Sequence, residues 1–331
     1  LGDVYKRQVL DKGFISIVIP VYGDKKLVRM LYNKLIESLN KINIEFEIIM
    51  VNDCCPYGSG EEIAKLAMID NRVKLIDLQR NFGQHLAIKA GLDNVTGNGY
   101  TVVMDCDLQD KPDDIIRFYK KIKETNADVV VGCRSKRAEG FLKKLYSKTA
   151  HFFISKLSET SNIEEKDTGN FSIFNQKVLK ELQRKQEPYF VFGTIIAWAG
   201  FSVEYIEVEQ EQRVCGKSGY NFIKGLNLLK RIIVNNSNKP LIFAGICSFL
   251  MFIFCLLFVA KLLIGYFVFN QRLLGWTSVM VSLFFIAALL FAYLGLLGIY
   301  VGQIFKITQG RPLYTVKRKI NSVSYTHLRA H

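Results

Sequence analysis

The stretch Tyr100-Thr101-Val102-Val103-Met104-Asp105-Cys106-Asp107 decides how this chain is read. A short run rich in β-branched residues stops abruptly at two carboxylates separated by one residue. Its length and composition suit a buried strand better than a helix. A strand that runs straight into acids presents them at its carboxyl end, which is where open α/β sheets take their ligands. Paired carboxylate oxygens at such a place suit Mg²⁺ or Mn²⁺, and such an ion can neutralise a diphosphate.

The flanking sequence repeats the theme. Phe14 to Val21 (FISIVIPV), Phe46 to Val51 (FEIIMV), Val73 to Leu78 and Val129 to Gly132 read as further strands of the continuous, doubly buried kind. Between them lie helical stretches. In Lys25 to Leu39 the apolar residues Leu27, Leu31, Leu35 and Leu39 recur at helical spacing, and Glu61 to Ala67 and Gln84 to Leu92 follow. Pro112 opens another helix, with Asp113 and Asp114 in its first turn, where acids suit the helix dipole. This alternation predicts an α/β fold, mainly a parallel sheet with helices on both faces. The polar residues after the first, second and fourth strands then converge on one crevice.

The 331 residues are enough for about two domains. A formal net charge of +14 points to anionic partners such as phosphates or lipid headgroups. No nucleic-acid-binding signature accompanies it. Seven cysteines without paired spacing argue for free thiols rather than a disulfide framework. Leu241–Ala260 and Leu273–Phe305 carry no charged residue. Their length predicts a two-helix transmembrane hairpin, since a span takes about 20 apolar residues. Lys230, Arg231 and Lys239 on one side, and Lys306, Arg311, Lys317, Arg318 and Lys319 on the other, would place both flanks in the cytoplasm. The basic amphipathic stretch 141–159 suits a surface helix or an interfacial one, and 221–239 repeats its style. Gly295, Gly298 and Gly302 would allow close helix packing, within the hairpin or in a homo-oligomer.

The expected organisation is therefore an N-terminal extension at 1–13, a cytoplasmic catalytic domain at 14–220, a juxtamembrane helix at 221–239, the hairpin at 240–305 and a cytoplasmic tail at 306–331. Residues 1–8 and 322–331 match no periodicity and receive no function.

The motifs PVYGD (20–24), VNDCCPYGS (51–59), RNFGQH (80–85), DCDLQDKPDD (105–114), GCRSKR (132–137), DTGNFSIFNQKVL (167–179) and RVCGKSGY (213–220), with GLLGIYVGQIF (295–305), resemble the family-2 polyprenyl-phosphate glycosyltransferases. That family includes the formamido-arabinose transferase, bactoprenol glucosyltransferase and dolichol-phosphate mannose synthase groups. The resemblance implies a GT-A-like nucleotide-diphospho-sugar transferase domain. It also implies a nucleotide-sugar donor, an undecaprenyl-type phosphate acceptor among membrane lipids, and a place in the bacterial inner membrane.

Pro20, Val21, Tyr22 and Asp24 match the first nucleotide-binding turn, and Asn52 with Asp53 match the pair that reads base and ribose. Asn52 departs from the usual aspartate, and an amide offers donors as well as acceptors. Arg80, Gln84 and Cys106 fall near the diphosphate, and Asp105, Asp107 and Gln109 match the metal set. Asp167 matches a carboxylate beside the sugar. It serves either as an orienting group or as a general base, and a lipid monophosphate with a second pKa near ~6 needs little deprotonation. Arg134, Arg137, Arg213, Lys217 and Ser218 can hold phosphates. His85 reads as a structural residue or as a ligand.

The mechanism implied is an inverting single displacement in which the lipid phosphate attacks the anomeric carbon. A processive polysaccharide synthase would usually show QxxRW, whereas Gln210 to Val214 has QxxR followed by valine. A non-catalytic nucleotide-sugar-binding protein is the remaining alternative, and the intact Asp105, Asp107, Asp167 and Arg213 argue against it.

Overall fold

The computed structural model describes residues 13–42, 44–134, 168–185, 190, 192–209, scattered helical positions between 241 and 264, and 275–322. In chain order the elements are β1 (Phe14–Val21), α1 (Lys25–Leu39), β2 (Glu45–Asn52), α2 (Ser59–Ile69), β3 (Val73–Leu78), α3 (Gln84–Leu92), β4 (Tyr100–Val103), α4 (Asp114–Thr125) and β5 (Val129–Arg134). There follow β6 (Thr168–Phe174), α5 (Gln176–Arg184), α6 (Phe192–Trp198), β7 (Val203–Val208), α7 (Trp276–Thr308) and β8 (Val316–Ile320).

The strands form one mixed sheet in the order β7-β5-β6-β4-β1-β2-β3-β8. Its centre is parallel: β4 and β2 flank β1, and β3 lies beyond β2. Antiparallel pairings enter at β6, inserted between β4 and β5, and at β8 on the outer edge of β3. The alternation of side chains splits the core into two layers. Ile15, Ile17, Ile19, Ile48, Met50, Leu75 and Val102 face α1, α2 and α4. Val18, Ile49, Val51, Ile76 and Val103 face α3, α5 and α6. Every strand of the parallel centre is thus buried on both faces, which explains why its sequence reads as continuous apolar runs.

Helix α3 lies unusually close to the sheet. A Cβ at Gly91 would come within 2.3 Å of a Val18 methyl and 3.1 Å of one on Val51, so only glycine fits there. Near the amino ends of β1, β2 and β3, Glu47 is buried. Its carboxylate accepts hydrogen bonds from Ser16 Oγ (2.7 Å), Thr96 N (3.0 Å) and Thr96 Oγ1 (2.8 Å). It also forms an ion pair with Lys74. Burial alone would raise its pKa, but the Lys74, Ser16 and Thr96 contacts outweigh burial and hold it below the ordinary range.

Contacts divide the chain into two compact units. The first holds all eight strands, and the second holds α7. From Pro312 onward the chain belongs to the first unit again, where β8 pairs with β3 within the stretch expected to be a tail.

The expected membrane architecture is corrected. Among the described residues no helix is long and apolar enough to cross a membrane. The two-helix transmembrane hairpin and the multi-pass inner-membrane placement drawn from it are therefore not supported. Stretches 141–159 and 221–239 lie outside the described residues, as do residues 1–8 and 323–331.

Replacing Lys74 with methionine leaves Glu47 as an uncompensated buried charge. Urea unfolding should show a loss of about 3–5 kcal/mol at neutral pH. Glu47 has a lowered folded-state pKa, so its stabilisation is present above the unfolded value of about 4.3 and fades as pH falls through the folded value. The gap between wild type and variant should therefore close in the acid range.

Candidate functional site

The carboxyl ends of β1, β2 and β4 lie side by side because these strands are parallel and adjacent. Main-chain bonds bind them at that edge. Asp53 N donates to Val21 O (3.1 Å), and Met104 N donates to Val18 O (3.2 Å). The loops they release are cross-linked as well. Cys55 Sγ donates to Gly23 O (3.2 Å), and the Cys106 sulfur is hydrogen-bonded to the Tyr22 backbone.

Asp105 emerges directly beyond β4. Its Oδ1 accepts from Gln84 Nε2 at 2.6 Å and from Asn170 Nδ2 at 3.4 Å. Gln84 is the first residue of α3, and Asn170 lies on β6. Val103 pairs with Ser172 in the antiparallel β4–β6 ladder, so Asn170 falls opposite Asp105 by register. Asn170 sits inside the DTGNF motif, but its meeting with Asp105 depends on that antiparallel pairing, which the sequence does not announce.

Asp107 Oδ accepts from the Gln109 backbone N–H (3.2 Å), closing a tight turn. Leu108 between them is buried and has φ of +60°, a conformation that non-glycine residues rarely adopt. Backbone held this way is characteristic of functional sites. Cys106 is partly buried and packs against the core layer that contains Ile19, Met104 and Leu108. Burial pushes its thiol up to about 11.

Asp53 is buried at the end of β2 and holds the RNFG loop. Its two oxygens accept from Phe82 N (2.7 Å) and Gly83 N (2.8 Å). Burial raises its pKa despite these bonds. Gly83 has φ of +90°, which suits glycine, and it ends the loop immediately before α3. Asp53 thus sets where α3 begins, and α3 in turn brings Gln84 to Asp105. The Arg80 guanidinium stacks over the Phe82 ring at 4.5 Å.

The remaining sequence candidates are placed as follows. Pro20 and Val21 close β1 and are buried, while Tyr22 is exposed. Asp24 caps α1, accepting from Lys26 N at 2.7 Å. The Asn52 amide is turned inward: Nδ2 donates to Asp77 Oδ1 (2.8 Å), and Oδ1 accepts from Cys55 N (3.3 Å) and Ser59 Oγ (3.1 Å). Gln109 is buried beside the acid pair. His85 Nδ1 is buried without a hydrogen-bond partner among the described residues, and burial lowers its pKa. Arg134 ends β5. Its side chain lies outside the described residues, as do Arg137, Asp167, Arg213, Lys217 and Ser218.

Among the described residues, no group of three or more His, Cys, Asp or Glu side chains is arranged to hold a metal by itself. Two carboxylates separated by one residue still fit Mg²⁺ or Mn²⁺. Such ions take oxygen ligands and are commonly held by one or two carboxylates together with substrate phosphates.

A sheet with helices on both faces and an acid pair at the carboxyl edge of a central strand is the scaffold of a ligand-handling α/β enzyme. Residues 16–208 match glycosyl transferase family 2, and the chain belongs to that family. It is 35% identical to the uncharacterized glycosyltransferase YkcC of Bacillus subtilis (strain 168), over 92% of this chain and 93% of that protein. It is 31% identical to the bactoprenol glucosyl transferase of Shigella phage SfX, over 92% of this chain and 99% of that protein. These relatives match the resemblance to polyprenyl-phosphate glycosyltransferases. Among solved structures it is similar to glucosyl-3-phosphoglycerate synthase from Mycobacterium tuberculosis, with TM-score 0.49 and 10% identity over 72% of this chain and 82% of that one.

Asp53→Ala removes the acceptor for two loop amides. Hydrogen exchange at Phe82 and Gly83 should accelerate, and stability should fall by about 1 kcal/mol, as expected when half-buried donors lose their acceptor. Unchanged protection of both amides would show that the loop is held by something else.

Proposed function

We propose that this glycosyltransferase moves a sugar from a nucleotide-sugar donor to a polyprenyl phosphate by one inverting displacement. The observation that carries the reading is the fixed Asp105 carboxylate at the head of β4, held from both sides by Gln84 and Asn170. It stands in a chain whose relatives include bactoprenol glucosyl transferases. The net charge of +14 suits a reaction in which donor and acceptor both carry phosphate.

Asp105 and Asp107, with Gln109, would hold a divalent cation, which when bound supplies Lewis-acid stabilisation to the departing diphosphate. The carboxyl ends of β1 and β2 and the turns after them, with Pro20, Val21, Tyr22, Asp24, Asn52 and Asp53, would form the wall for the nucleoside. Arg80, at the mouth of α3, offers a cation to the diphosphate. Gln84 keeps Asp105 in place, so its orientation does not have to be found during the reaction. Cys106 lies under the acid pair as packing. Arg134, Arg137, Lys217 and Ser218 are the groups we assign to the acceptor phosphate. Asp167 and Arg213 stand beside the sugar, Asp167 as an orienting carboxylate. The acceptor is mostly dianionic at neutral pH, so its attacking oxygen needs little help from a base. Leaving-group departure therefore carries the larger share of the barrier.

The test is transfer itself. Purified protein with Mg²⁺ or Mn²⁺, undecaprenyl phosphate and a panel of nucleotide-sugars should yield one sugar per lipid phosphate. Polymer, or nucleotide binding without turnover in every combination, would contradict the proposal. Asp105→Asn should lower kcat by at least ~100-fold, because a metal at a departing diphosphate contributes several kcal/mol and ~1.4 kcal/mol is tenfold in rate. Full activity in that variant would remove the role assigned to Asp105.

A further inference from the structure

We propose that Arg318, on the C-terminal strand β8, is a positioning residue for donor binding and acts through Asp77 and Asn52 on the turn after β2. The proposal rests on the reading that this turn holds the nucleoside. The contacts form an unbroken line. Arg318 Nε donates to Asp77 Oδ2 at 2.9 Å, and an Arg318 terminal nitrogen donates to Glu61 Oε1 at 3.1 Å. Asp77 Oδ1 accepts from Asn52 Nδ2 at 2.8 Å. Asn52 Oδ1 accepts from Cys55 N at 3.3 Å and Ser59 Oγ at 3.1 Å, and these two residues bound the turn that leads into α2.

Asp77 and Asn52 are 4% and 5% exposed, so their bond lies in the interior, while the Arg318 side chain reaches it from the exposed sheet edge. Asp77 faces Arg318 in the β3–β8 register, and the register shifts between Asp77 and Leu78. The site has little room to rearrange, because a Cβ at Gly60 would stand 2.7 Å from Asn52 Nδ2.

This geometry suits an amide at position 52. A carboxylate at position 52 would lie against the buried Asp77 carboxylate, with only Arg318 to offset two charges. With asparagine, the Arg318 guanidinium faces one buried carboxylate, Asp77, and one solvent-exposed carboxylate, Glu61. The amide is also locked in one orientation: its oxygen is engaged twice and one of its two N–H bonds is engaged once. The C-terminal strand thereby sets the shape of a turn at the opposite end of the sequence. Arg318 touches no substrate in this scheme. It holds Asp77, which orients Asn52, which shapes residues 53–59.

The experiment compares wild type with Arg318→Gln, Asp77→Asn and the double variant Asp77→Asn/Arg318→Gln. Two readouts are taken: amide hydrogen exchange over residues 53–59, and the Kd for UDP and for GDP with Mn²⁺. Arg318→Gln should speed exchange in that turn. It should also raise the Kd of whichever nucleotide binds wild type by about tenfold, within the range of coupling between linked sites. The kcat at saturating donor should stay near wild type, since only uniform binding is lost. The double variant restores a neutral pair and should recover most of the affinity, which a merely stabilising clasp would not predict. Unchanged exchange and Kd in Arg318→Gln, or a double variant no better than Arg318→Gln, overturns the proposal alone. Failure of wild type to bind either nucleotide overturns the donor reading and the proposal with it.

Discussion

The position of Asp105 is the constraint on which the site depends. β4 is held on one side by the parallel strand β1 and on the other by the antiparallel strand β6. A strand between two such neighbours has its register fixed twice, so the residue that leaves its carboxyl end cannot slide. The acid pair is therefore placed by the core rather than by the loop that contains it. Burial of Val102, Val103 and Met104 supplies the energy, at roughly 1.5–3 kcal/mol for each large apolar side chain.

From that fixed point the other elements are secured in turn. Asp53 holds the two amides ahead of α3, Gly91 lets α3 lie close against β1 and β2, and α3 brings Gln84 to Asp105. The left-handed Leu108 then turns the chain so that Asp107 accepts from Gln109. The Asp53 and Asp107 bonds are half-buried, whereas the Gln84–Asp105 bond is exposed at the mouth of the site. A site of this kind contributes through preorganisation, because the polar groups do not have to be reoriented as charge develops.

Much of this was legible in the sequence, for a physical reason. Strands buried on both faces must be apolar throughout, so β1 to β4 declare themselves, and the residues just beyond them are the ones the sheet brings together. What was not legible involves pairings without a local signature. β8 reads Val-Lys-Arg-Lys-Ile, and its exposed cations look like a charged flank, although lysine on an outer strand is a common way to protect a sheet edge. Asn170 meets Asp105 only because β6 runs antiparallel. The sequence does not announce that the Asn52 amide bonds Asp77, Cys55 and Ser59. The membrane hairpin was inferred from the length and freedom from charge of 241–260 and 273–305, and among the described residues no helix is long and apolar enough to cross a membrane.

The central claim is that donor phosphate and a divalent ion meet at the end of β4. Paramagnetic Mn²⁺ added together with UDP or GDP tests it directly by methyl NMR. The Met104 and Leu108 methyl signals should broaden first. Those of Ile15, which pairs with Tyr100 and so lies about 17 Å from Asp105 by strand rise, should broaden much less. Broadening that spares Met104 and Leu108, or that falls equally on Ile15, would contradict the account.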